Sequence, residues 1–220
     1  MDKATWAGVD AYFNRALAPP DPAMDAVLAA NAAAGLPGID VSEAQGRFLG
    51  LLVRATGARR VLEVGTLGGY STIWMARGLA PGGRVVTVER EARHAEVARA
   101  NFVRAGVADR IELRVGAGLA VMEALAAEEA GPFDLIFIDA DKPNNPGYWD
   151  RAVRLGRKGT VVIVDNVVRD GRIAEARNAD PDVAGTRTMF AAMRAAGVGA
   201  SALQTVGSKG WDGFAMAVLD

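Results

Sequence analysis

The segment 60-RVLEVGTLGGYSTIWMARGLA-80 decides the fold. Its first five residues form a β-branched, apolar run of strand length. Glycines at 65, 68 and 69 then let the backbone turn tightly and approach a ligand closely. From Tyr70 onward the stretch has helix length, and a helix starting there points its N-terminal amides at whatever lies in the turn. Strand, glycine turn and helix make the first half of a βαβ unit.

The same alternation continues outward. Further strand-like runs are 84-RVVTVE-89, 111-IELRV-115, 133-FDLIFI-138 and 160-TVVIV-164, with helix-length segments such as 91-EARHAEVARANFVRAG-106 between them. Strands apolar on both faces, each followed by a helix, predict a parallel sheet covered on both sides. The end of the chain, 201 to 220, reads as an antiparallel hairpin around a glycine-rich turn. Residues 1 to 57 read as helices interrupted by APPDP (18–22) and GLPG (35–38). The expectation is one domain over residues 1–220. It has an N-terminal helical segment, 1–57, and a doubly wound, Rossmann-like α/β core, 58–220, which binds its ligands beyond the carboxyl ends of the strands.

Composition narrows the function. The 220 residues include 25 basic and 26 acidic side chains, so no electrostatic footprint for nucleic acid exists. Cysteine is absent, which excludes disulfides and thiolate metal sites. The N-terminus lacks a basic flank followed by an apolar block, and no apolar run approaches the roughly 20 residues that span a bilayer. A cytoplasmic location, with no membrane partner, is the default expectation.

Glu89 closes the second strand, where a carboxylate accepts hydrogen bonds from the two hydroxyls of a ribose. Together with the glycine turn it favours a nucleoside ligand over an ordinary strand-to-helix turn. The loop reads G-T-L-G-G and departs from the dinucleotide fingerprint G-x-G-x-x-G. Glu63, just before it, would repel a pyrophosphate and favour an amino group. S-adenosylmethionine has an amino-acid tail, a sulfonium and no phosphate, so the loop favours it over a nicotinamide dinucleotide. An adenine ring fits against Ala117 and Gly118, in 115-VGAGL-119.

The apolar run 133-FDLIFI-138 ends in 139-DADK-142, and 160-TVVIVDN-166 ends in Asp165 and Asn166. Asp139 and Asp141, two apart, share a face in extended backbone. If the two strands are neighbours, Asp139, Asp165 and Asn166 converge. Oxygen ligands without sulfur or imidazole suit a hard cation, magnesium first, with calcium or manganese as alternatives. Aspartate and asparagine also cap helices and make turns after strands, so two readings stay open at this level.

The chain resembles the cation-dependent O-methyltransferases, the group that includes the catechol and caffeoyl-coenzyme-A O-methyltransferases. The resemblance rests on 39-IDVSEAQGRFLGLL-52, 61-VLEVGTLGGYSTIWMA-76, 84-RVVTVE-89, 135-LIFIDADK-142 and 162-VIVDNVVRDGRI-173. It implies a seven-stranded sheet with an antiparallel last strand and a homodimer. It implies that Asp139, Asp165 and Asn166 bind the metal and that Lys142 is the general base. Val41, Glu63, Gly65, Thr66, Gly69, Ser71, Glu89, Ala117 and Asp139 then contact S-adenosylmethionine, while Asp139, Lys142, Asn166 and Asp170 meet a small phenolic acceptor. The family's frequent tryptophan after the Asp-Asn pair is replaced here by Val168 and Arg169, close to the acceptor.

The implied reaction moves a methyl group to one hydroxyl of a ring carrying two adjacent hydroxyls. An unperturbed lysine, with a pKa of about 10.4, is a poor base at neutral pH, so burial and a nearby cation must lower it. Lys142 as a surface partner of Asp141 is the bland alternative. A non-catalytic S-adenosylmethionine-binding protein and a nicotinamide-dependent oxidoreductase are the competing functions; the second needs a fingerprint and a Tyr-x-x-x-Lys pair that the chain lacks. His94, the one histidine, reads as a solvated helix residue near the adenine edge. Trp74 and Met75 read as packing. Tyr148 and Trp149 read as sheet packing or pocket lining, and Trp211 as an exposed residue of the last turn.

Overall fold

The computed structural model describes residues 2–220. Three helices precede the first strand: α1 (Lys3–Leu17), α2 (Pro22–Ala33) and α3 (Glu43–Ala55). Each begins where a short polar side chain satisfies an early backbone N–H: Asp2 accepts from Thr5, Asp21 from Met24 and Ser42 from Gln45. The predicted breaks fall where the prolines and glycines stand. α1 stops before Pro19, and Pro22 opens α2 as its first helical residue.

The α/β part runs β1 (Arg60–Val64), α4 (Tyr70–Gly78), β2 (Arg84–Glu89), α5 (Ala92–Arg104), β3 (Ile111–Val115), α6 (Gly118–Ala127), β4 (Leu135–Ile138), α7 (Asn145–Leu155), β5 (Val161–Asp165), α8 (Pro181–Ala196), β6 (Gly199–Gly207) and β7 (Gly210–Val218). The seven strands are ordered β3-β2-β1-β4-β5-β7-β6. All pairs among β1 to β5 are parallel, and β7 is antiparallel to both of its neighbours. The expected mostly parallel sheet with an antiparallel last strand is therefore what the chain forms. β4 begins at Leu135 rather than Phe133. Asp134 instead braces the strand entrances, its Oδ2 accepting the N–H of Arg59 at 2.8 Å and of Arg60 at 2.9 Å.

Alternation along the strands divides the core in two. Leu62, Val64, Ile136, Ile138, Val162 and Val164 pack against α6, α7 and α8. Val61, Val85, Leu135, Phe137 and Ile163 face the layer that carries α2, α3, α4 and α5. Strand order reverses at β1, between β2 and β4. In an open sheet this leaves a crevice at the carboxyl ends, the place where ligands bind. Among the described residues no helix is long and apolar enough to cross a membrane.

Candidate active site

A cavity of about 590 Å³ opens at that crevice. Its walls come from the loop before α3, the turn after β1, the end of β2, the start of α6, the turn after β4 and the loop after β5.

The turn after β1 is shaped by Gly65. Its φ is 104°, and a side chain there would run into the backbone carbonyl of Asp139. The glycine thus lets the cofactor-type loop and the acidic turn lie against each other. Thr66 and Ser71 line the same wall, as Val41 does from the segment before α3. Glu89, at the tip of β2, is already held: Oε2 accepts the N–H of Leu67 at 2.7 Å, and Oε1 that of Glu91 at 2.8 Å. Its position is fixed before any ligand arrives. Ala117 is exposed to the cavity at the start of α6.

Two of the cofactor-binding candidates lie behind the wall instead of on it. Glu63 is 0% exposed. Ser71 Oγ donates to its Oε1 at 2.5 Å, Thr87 Oγ1 to its Oε2 at 2.6 Å, and the Thr72 hydroxyl to the same oxygen. Burial pushes this carboxyl up to about 7 in spite of those three donors. Glu63 therefore reaches the cavity only through other side chains, Ser71 directly and Thr66 by way of Thr87. The reason is strand alternation, which puts residue 63 on the inward face with Val61. Gly69 is the N-cap of α4, buried against Phe102 and outside the wall.

The acidic end forms as the register requires. Ile138 pairs with Val164, so Asp139 and Asp165 follow side by side at the carboxyl ends of β4 and β5. Asp165 is 4% exposed. Its Oδ1 accepts the N–H of Asn166 at 2.8 Å, and its Oδ2 the Gln45 amide at 2.7 Å. Burial, and next the charge of Asp139, raise its pKa well above the usual carboxylate range. Asn166 takes a left-handed conformation, φ 56°, which asparagine tolerates, and lines the cavity. Asp170 points elsewhere: it is exposed, and its neighbour Arg169 takes its place in the wall.

Lys142 lies beside the acids. It is 6% exposed, and its Nζ donates to Asp139 Oδ1 at 2.8 Å. The surface pair with Asp141 does not form. The chain bends at Ala140, and after Asp141 it winds into a short 3-10 turn, Lys142–Asn144. Asp139 and Asp141 consequently part: Asp141 accepts the Tyr148 hydroxyl at 2.5 Å, and the Asn144 amide. α8 holds this turn from behind, because Gly185 packs where a side chain would strike the Lys142 carbonyl.

Some wall residues escaped the reading of the sequence. His94 is no solvated bystander: its Nδ1 lies 3.5 Å from Glu89 Oε1 within the cavity wall. The helix starts so soon after β2 that its first turn hangs over Glu89, a spacing visible in the sequence. Of the two aromatics read as packing or lining, Tyr148 does both, in the core and at the cavity wall, and Trp149 packs in the core. Trp211 is half-exposed and lies over Gly171. Asp40, paired with Asn31, and Asp182, paired with Arg169, join the wall from distant parts of the chain.

Among the described residues no three His, Cys, Asp or Glu side chains are grouped to hold an ion. The candidate set here is two carboxylates and an amide. Two acids forced together, one of them buried, with hard oxygen donors and a cavity in front, are chemically suited to a divalent cation.

Comparison with known proteins identifies the family. A model of the O-methyltransferase family matches residues 19–195. The catechol O-methyltransferase of Mycobacterium tuberculosis is 57% identical over 212 residues, covering 96% of this chain and 94% of that protein. The catechol O-methyltransferase of Niastella koreensis is 44% identical over 220 residues and all of both chains. The crystal structure of an O-methyltransferase from Bacillus cereus, in complex with SAH, superposes with a TM-score of 0.98 at 53% identity, covering 100% of each chain. The chain belongs to the O-methyltransferase family.

Proposed function

We propose that this O-methyltransferase takes its methyl group from S-adenosylmethionine and, with a divalent cation, transfers it to one hydroxyl of a small catechol-type acceptor. The observation that carries this reading is the shared cavity. Gly65, Glu89 and Ala117 line it together with Asp139, Asn166 and Lys142, and Gly65 packs directly against the Asp139 backbone. The SAH complex of the Bacillus cereus relative and the names of the two curated relatives support the donor and the acceptor class.

Each residue then has a task. Glu89 accepts the ribose hydroxyls, the 65–67 backbone wraps the donor's tail, and Ser71, backed by Glu63, presents a polar wall to its amino group. Asp139, Asp165 and Asn166 would hold the cation, which would supply Lewis acidity toward the acceptor hydroxyls and lower their pKa. Lys142 takes the proton from the oxygen that will carry the methyl. Rigid walls hold nucleophile and donor in line, where much of the acceleration arises.

The test is transfer of labelled methyl from S-adenosylmethionine to a catechol panel. Turnover with added magnesium and its loss in excess chelator are expected. Methylation that persists in chelator would remove the cation from the reading, and methylation of simple monophenols at equal efficiency would remove the catechol.

We also propose a second copy of the chain as the macromolecular partner. β6 lies exposed along the sheet edge. It carries Leu203 and Val206 outward near α1, which exposes Tyr12, Phe13 and Leu17. Open apolar edges of this kind are normally covered. Light scattering should give twice the 23.0 kDa chain mass, falling to the single mass in Leu203→Glu/Val206→Glu. A wild-type monomer at micromolar concentration sinks the proposal.

A further inference from the structure

Arg169 and Asp182 flank the acceptor end of the cavity, one on the loop after β5 and the other in the first turn of α8. Arg169 Nη2 donates to Asp182 Oδ2 at 2.6 Å. That pair uses one of the five guanidinium donors. Among the described residues nothing accepts from Arg169 Nε, although this nitrogen is buried. Asp182 thus engages only one nitrogen of a guanidinium that lines the cavity wall.

The backbone shows that the placement is enforced. Arg169, Asp170 and Gly171 have φ values of 55°, 56° and 83°, a left-handed run that glycine accepts, aspartate tolerates and arginine disfavours. The run is secured by Asp212 of β7, whose Oδ1 accepts the N–H groups of Val168 at 2.9 Å and Arg169 at 3.1 Å. Conformations of this kind persist where the surroundings over-determine them, and they gather at ligand sites.

We propose that Arg169 is a specificity-determining residue that selects acceptors carrying a carboxylate, on the catechol ring or on a short side chain. The inference rests on the catechol reading above. A planar guanidinium matches a carboxylate in shape as well as in charge. Asp182 takes one donor and fixes the plane; Nε is shut away from the cavity, so the terminal amino groups are the ones left for the acceptor. Lys142, the other cation at this end, is already engaged by Asp139. One guanidinium with its own carboxylate partner suits a monoanion better than a multiply charged phosphate.

The experiment compares 3,4-dihydroxybenzoate with its methyl ester, which keeps both hydroxyls and removes the charge. Wild type should favour the acid by about 10- to 100-fold in kcat/KM. Arg169→Gln should erase that ratio through KM, while ester turnover changes less than about threefold; Arg169→Lys should keep part of it. Binding of the acid, read by calorimetry, should weaken in parallel. If Arg169 were only a clamp between loop and helix, acid and ester would decline together with the melting temperature, and the proposal would fall. Equal wild-type turnover of acid and ester sinks this inference alone. Turnover of neither sinks the catechol reading and this inference with it.

Discussion

Lys142→Met should lower kcat by about 10²- to 10⁴-fold, the range supplied by a positioned general base, while the Kd for S-adenosylmethionine stays within a few-fold of wild type. Lys142 is buried, and its Nζ lies within 2.8 Å of Asp139. The competing view makes it a counter-ion that keeps Asp139 in place. Lys142→Arg separates the two, because a guanidinium keeps the positive charge and the ion pair yet does not give up a proton at accessible pH. A base role predicts that Lys142→Arg is nearly as impaired as Lys142→Met. If Lys142→Arg retains a third or more of wild-type kcat, the lysine is structural and another group removes the proton. The Asp141→Asn variant serves as the control. Its carboxylate is turned toward Tyr148 and Asn144, so kcat should fall far less than in Lys142→Met.

The contrast between Asp139 and Asp141 shows which parts of this molecule are legible in its sequence. Strand positions follow from apolar periodicity, and the strand-end acids fall side by side once β4 and β5 pair in parallel. Those are local rules plus one topological rule, and they place Asp139, Asp165 and Asn166 correctly relative to the sheet. What the sequence does not announce is how the chain turns after the strand. Asp139 and Asp141 both line the cavity, but the bend at Ala140 between them gives Asp139 to Lys142 and Asp141 to Tyr148 and Asn144. Glu63 is the opposite case. Its inward direction follows from alternation with Val61; charge complementarity to an amino group argues the other way, and alternation wins. Gln45 and Asp165 are 120 residues apart in sequence, and no periodicity links them. The pairing of Arg169 with Asp182 likewise depends on how a loop and a helix pack on different sides of the cavity.

Asp165→Asn should abolish cation-dependent turnover, by at least about a hundredfold, and yet stabilise the metal-free protein as pH rises. The reason is electrostatic. Asp165 is buried next to the Asp139 carboxylate, and Lys142 and Gln45 compensate only in part. Its folded pKa is therefore raised above its unfolded value near 3.9. A raised folded value means that the native state binds the proton more tightly than the unfolded state. The associated stability is complete below about pH 4 and is lost as pH climbs through the folded value. The amide of the variant carries no such penalty at any pH, though it gives up one of the two hydrogen bonds that the carboxylate accepts. The difference in unfolding free energy, variant minus wild type, should accordingly grow from pH 4 to pH 8 by roughly 1–3 kcal/mol, measured by urea denaturation in chelator. Adding magnesium should reverse the order, since ligand binding to the native state stabilises only the protein that holds it. A difference that stays flat with pH would show that the two carboxylates do not oppose each other. Stabilisation of the variant by magnesium equal to that of wild type would remove Asp165 from the cation site. Either result would break the link on which the cavity's chemistry depends, in which two strand ends carry an electrostatic strain that a cation relieves.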